Sequence, residues 1–66
     1  MQSQLEALRA ALADLSEDQR AVWLLKEVAG YSYDEIGQEL GIPVATVRGR
    51  LARARQALLD RMKDWR

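Results

Sequence analysis

Sixty-six residues, 48% apolar and only 6% aromatic, allow one small domain with a modest core, of the alanine- and leucine-rich kind that suits a helical bundle. With no cysteine and no histidine, the chain has no disulfide, no thiolate metal site and no imidazole to serve as general base or ligand, so neither a cofactor nor a metal is expected. No apolar run approaches the roughly 18 residues of a bilayer span, and no basic segment followed by an apolar one opens the chain, so it reads as soluble and cytoplasmic.

The formal net charge of zero hides a split. Residues 1–43 hold three basic and eight acidic side chains, and residues 44–66 hold seven basic and two acidic ones. Such asymmetry marks a basic face for a polyanion, or a basic helix paired with acidic neighbours.

In chain order, Leu5, Leu8, Leu12 and Leu15 recur at spacings of three and four and predict a helix from about Gln4 to Ala13. Ser16 followed by Gln19 reads as a capping box, with Glu17 and Asp18 suited to the positive end of the helix dipole. The second helix is predicted to turn Val22, Leu25 and Val28 inward, to be covered on one side by Trp23, and to stop near Gly30. Ser32 and Glu35 form a second capping box, opening a helix that ends at Gly41 with Ile36 and Leu40 as its apolar contacts. Gly37 falls where the two helices of a tight motif would cross, and Gly41 is the expected left-handed cap.

Pro43 cannot continue that helix but suits the start of another. The last helix is predicted from Val44 to Met62 or beyond, with Val44, Val47, Leu51, Ala54, Leu58, Met62 and Trp65 on one stripe. Its opposite face, Ala45, Gly49, Ala52 and Gln56, is slim and nearly uncharged. Arg48 and Arg55 flank it on one side, Arg50 and Arg53 on the other. A major groove about 12 Å wide admits a helix with such a face, and flanking arginines can then reach phosphates or base edges. Gly49 costs about 1 kcal/mol against alanine inside a helix, which a merely solvated surface helix would not explain. The layout is a helix-turn-helix over about residues 33–62 within an all-α, four-helix domain.

Leu15-Ser16-Glu17-Asp18-Gln19-Arg20, Ser32-Tyr33-Asp34-Glu35-Ile36-Gly37 and the run from Gly41-Ile42-Pro43-Val44 to Arg55 resemble region 4 of bacterial extracytoplasmic-function sigma factors. The likeness spans about Leu5 to Met62. The Arg-x-Arg-Leu-x-Arg-Ala-Arg run after Ile-Pro-Val-x-Thr-Val sets it apart from most helix-turn-helix proteins. The resemblance implies a winged-helix-like sigma region 4 fold that binds the minus-35 promoter element and docks on the flap of the RNA polymerase β subunit. It also implies an anti-sigma factor as a further partner, a monomer in isolation, and no membrane. Residues 1–66 are then one domain of a longer sigma factor whose promoter-melting region is absent.

By resemblance, Arg48 and Arg53 read bases, while Arg50 and Arg55 contact phosphates or pack helices. Pro43, Val44 and Thr46 sit near the DNA backbone at the helix start, Gly49 and Ala52 face the groove, and Lys26 contacts a phosphate. Ala45, Gly49 and Gly37 stand where glycine, serine and alanine are usual, so base preference does not carry over. The end of the last helix around Leu59, Met62 and Trp65, helped by the first helix, is the expected docking surface.

A stand-alone regulator of the response-regulator output type is the competing reading, opposed by the arginine run through Arg55. A purely protein-binding module would lack salt-dependent DNA affinity. Catalysis is not expected: Asp34, Glu35, Asp60 and Asp64 lie in cap or surface contexts without a nucleophile or phosphate loop.

Overall fold

The computed structural model describes residues 2–65, and side chains for residues 5–61 and 63. Four helices follow in order: α1 (Gln2–Ala13), α2 (Glu17–Glu27), α3 (Tyr33–Leu40) and α4 (Val44–Trp65). Among the described residues there is no strand. α1 begins two residues ahead of the boundary read from the sequence, and α4 runs past Met62 to Trp65.

α4 is the spine. Its 22 residues run about 33 Å at 1.5 Å per residue, close to the 36 Å long axis of the described residues. The other three helices all pack on it, and α2 also packs on α3. The stripe along α4 buries Val47, Leu51, Ala54 and Leu58. Val47 and Leu51 join Val22 of α2 and Ile36 of α3 in one cluster, whereas Ala54 and Leu58 join Ala11 and Leu15 of α1 in another. Trp23 packs against both clusters and links them. This is how a short chain makes a continuous core from few large side chains. Val44 is half-buried, and the side chains of Met62 and Trp65, the remaining members of the stripe, lie outside the described residues.

The helix starts follow from their caps. Ser32 accepts from the Glu35 N–H at 3.1 Å, and Glu35 Oε1 accepts from the Ser32 N–H at 2.8 Å, a complete capping box. Ser16 forms only half of one: its Oγ accepts from the Gln19 N–H at 3.2 Å, without the return bond. Gly41 closes α3 in the left-handed region at φ 69°, ψ 38°.

Two inward assignments on the first helices are corrected. Val28 is 71% exposed, because α2 ends at Glu27 and Val28 is its cap, beyond the helix face that meets α4. Leu25 is half-buried and packs against the same cluster as Trp23, as the sequence predicts. On α1, Leu5 is 56% exposed, and the core contact is made by Ala11 and Leu15. Burial follows where α1 packs on α4, and the cluster there pairs two small residues, Ala11 and Ala54, with Leu15 and Leu58.

Candidate nucleic-acid interface

The turn that aims α4 is tightly built. The Ile42 N–H donates to the Gly37 carbonyl at 3.0 Å, and the Val47 N–H to the Pro43 carbonyl at 3.1 Å. Pro43 therefore caps the new helix and Val44 is its first residue. A methyl group on Gly37 would stand 2.8 Å from the Ile42 carbonyl oxygen, and 3.8 and 3.9 Å from side-chain atoms of Val44 and Val47. The closest approach that requires glycine is thus to the backbone of the turn, rather than to the body of the next helix.

Along α4, Ala45, Ala52 and Gln56 are exposed and Gly49 half-buried, so the slim face read from the sequence points outward. Gly49 is overlaid by an arginine: a side chain there would meet the Arg53 guanidinium at 3.6 Å. Arg53 lies back along the slim face toward the start of the helix, in the region where a groove would be entered. Thr46 and Val44 are half-buried, and Pro43 is exposed beside the turn.

The basic side chains divide by their partners. Arg50 reaches Asp18 of α2 at 3.8 Å, and Arg55 reaches Glu27 of α2 at 2.6 Å. These two arginines pair with α2 near its two ends, Arg55 by a hydrogen bond and Arg50 at longer range. The Glu27 hydrogen bond raises the Arg55 guanidinium above its usual value, and the Tyr33 hydroxyl adds a smaller push in the same direction. Arg20 and Arg61 are paired with Glu17 and Asp14, away from the slim face. Arg48 and Lys26 have no carboxylate partner among the described residues. Both instead stand over the Tyr33 ring, Lys26 Nζ at 4.9 Å and the Arg48 guanidinium carbon at 5.3 Å from its centroid.

The structure thus brings Lys26, Arg48 and Arg55 into one corner, where the end of α2 and the start of α3 meet α4, and leaves Arg53 on the slim face. In the sequence, Asp18 and Tyr33 read only as parts of helix-start motifs, and Glu27 is not singled out. Tyr33 is visible there only as an aromatic residue directly after a helix cap, and its cationic partners come from two other helices.

Among the described residues no group of carboxylates could hold a metal ion, and no helix is long and apolar enough to cross a membrane. Residues 5–58 match the family model for sigma-70, region 4. The chain belongs to this family. It is a family of DNA-binding domains, not of enzymes, and its helix-turn-helix is the one formed here by α3, the Gly41–Pro43 turn and α4. Over 48 residues, 73% of its length, the chain is 50% identical to the probable RNA polymerase sigma-C factor of Mycobacterium bovis. It is 47% identical over 53 residues, 80% of its length, to the extracytoplasmic-function sigma factor SigE of Mycolicibacterium smegmatis. It is 40% identical over 52 residues, 79% of its length, to the sigma-E factor of Escherichia coli. The matched stretches make up 26%, 21% and 27% of those three proteins, so the chain corresponds to about a quarter of each.

Proposed function

We propose that this domain recognises the minus-35 promoter element on behalf of an extracytoplasmic-function sigma factor and so directs RNA polymerase to its promoters in the cytoplasm. The observation that carries the reading is α4 itself. A region 4 helix-turn-helix presents a slim outward face, Ala45-Gly49-Ala52-Gln56, with Arg53 lying on it and Arg48 beside it. In this reading α4 enters the major groove, Arg48 and Arg53 reach base edges, and Pro43, Val44 and Thr46 meet the sugar-phosphate backbone at the helix start. Gly49 and Ala52 let the helix axis come close to the base pairs. Lys26, Arg50 and Arg55 supply phosphate contacts, the last two in exchange with their carboxylates on α2.

The family match and the sigma-factor names of the relatives favour this reading over a response-regulator output domain. A domain with one recognition helix makes few base contacts, and its phosphate contacts are readily competed by salt. It therefore acts as a monomer on loan to polymerase: docking on the flap of the β subunit raises its effective concentration at the promoter. Apolar surface for docking is available where Trp23, Leu58 and Leu59 line an open notch of about 310 Å³ beside Arg55, with Leu59 62% exposed. An anti-sigma factor would compete for the same surface.

The test is titration of the domain with a minus-35 duplex near physiological salt, with and without the polymerase flap. Weak, salt-sensitive binding that tightens with the flap is expected. Nanomolar sequence-specific binding indifferent to the flap would mark an autonomous regulator instead.

A further inference from the structure

Tyr33 opens α3, and its half-buried ring packs on the Val22–Ile36–Val47–Leu51 cluster. The same ring carries two cations from two other helices, Lys26 from the last turn of α2 and Arg48 from the second turn of α4. How it holds them differs from how the neighbouring arginines are held. Glu27 hydrogen-bonds Arg55 and Asp18 lies 3.8 Å from Arg50, and these carboxylates offset the guanidinium charge and compete with any incoming phosphate. An aromatic face attracts a cation through its quadrupole but has no net charge, so it fixes position and leaves the full positive charge available.

We infer that Tyr33 is a positioning residue for DNA binding: its ring aligns Lys26 and Arg48 into one two-pronged seat for the duplex, Lys26 toward the backbone and Arg48 toward the base edges beside it, tying α2 to the recognition helix. The inference rests on the DNA-binding reading above. Each cation is pre-ordered before the duplex arrives, so less side-chain freedom is lost on binding. Lys26 and Arg48 then act as a unit, and the loss of one reduces what the other contributes.

The experiment is fluorescence anisotropy with a minus-35 duplex, using wild type, Tyr33→Phe, Tyr33→Leu, Arg48→Ala and the Tyr33→Leu/Arg48→Ala double variant. Thermal melts of each protein run in parallel. Tyr33→Leu keeps apolar bulk on the core but removes the ring face, and is expected to bind about three- to tenfold more weakly. Tyr33→Phe keeps the face and recovers most of that loss. Arg48→Ala costs less in the Tyr33→Leu background than in wild type. A Tyr33→Phe variant that falls as far as Tyr33→Leu, or losses that multiply independently in the double variant, would overturn the inference.

Should Tyr33→Leu fail to fold, the Lys26→Met and Arg48→Met cycle on the intact ring decides. Non-additive losses support the shared seat, and independent ones refute it. Wild type lacking salt-dependent affinity for any duplex would instead sink the DNA-binding reading and this inference with it. Tight wild-type binding with independent losses sinks the inference alone.

Discussion

Gly37 and Ile42 are joined in a way that leaves no room for a side chain: the Ile42 N–H donates to the Gly37 carbonyl at 3.0 Å, while a methyl group on Gly37 would sit 2.8 Å from the Ile42 carbonyl oxygen. That approach sets the angle at which α4 leaves the turn, and so where Arg48 and Arg53 stand. Gly37→Ala gains about 1 kcal/mol of helix propensity but must push the turn's backbone aside. The net expectation is a lower denaturant midpoint, with Gly37→Val lower still because its branches meet Val44 and Val47. A midpoint raised by Gly37→Ala would show that the turn yields freely.

The cap of α3 makes a pH-dependent contribution. The Ser32 N–H bonds the Glu35 carboxylate, and with the Ser32 hydroxyl it holds that carboxyl below its ordinary value. A folded-state value lower than the unfolded one means that the carboxylate stabilises α3 above the ordinary carboxylate range. That stabilisation is lost as pH falls through this range to the folded value. Glu35→Gln should therefore flatten the acid side of the stability–pH curve, and Ser32→Ala should cost about 1 kcal/mol at neutral pH. Chemical denaturation across pH 3–7 checks both (a range set by the ordinary carboxylate values of about 4). An acid limb unchanged in Glu35→Gln would assign the pH dependence to other carboxylates.

What the sequence disclosed and what it hid divides along the same line. The Ser32–Glu35 box, the Gly41 turn and the Val47–Leu58 part of the α4 stripe are local patterns, governed by neighbours three or four residues away, and they appear in the structure where the sequence put them. Val28 and Leu5 carry the right periodicity but lie outside the crossings that bury a helix, and periodicity does not say where a helix crosses its partner. At Ser16 the spacing of a capping box is present, yet Gln19 is neutral and makes no return bond, whereas the charged Glu35 does. The arginine run announced a basic helix. Which of its members are tied to α2, and which rest on Tyr33 or Gly49, depends on residues from other helices.

The pairing of Arg55 with Glu27 leads to opposite effects of changing either partner. The pair is partly exposed, so breaking it should alter stability by no more than about 1 kcal/mol. Glu27→Ala frees Arg55 and removes a negative charge beside the proposed phosphate seat, so duplex affinity should rise. Arg55→Ala should weaken all sequences alike and make the slope of log affinity against log salt shallower by about one. Salt titrations of both variants read this directly, and a slope untouched by Arg55→Ala would remove Arg55 from the DNA face.

The central claim is that α4 reads sequence through Arg48 and Arg53. The most direct measurement is the ratio of affinities for a duplex selected from a randomised minus-35 library and for a scrambled duplex, at one fixed salt concentration. It is made for wild type, Arg48→Ala and Arg53→Ala. Each substitution is expected to cost about 1–3 kcal/mol on the selected duplex and much less on the scrambled one, so the ratio collapses toward one. Equal losses on both duplexes, with the ratio preserved, would contradict the claim and leave these arginines as phosphate contacts only.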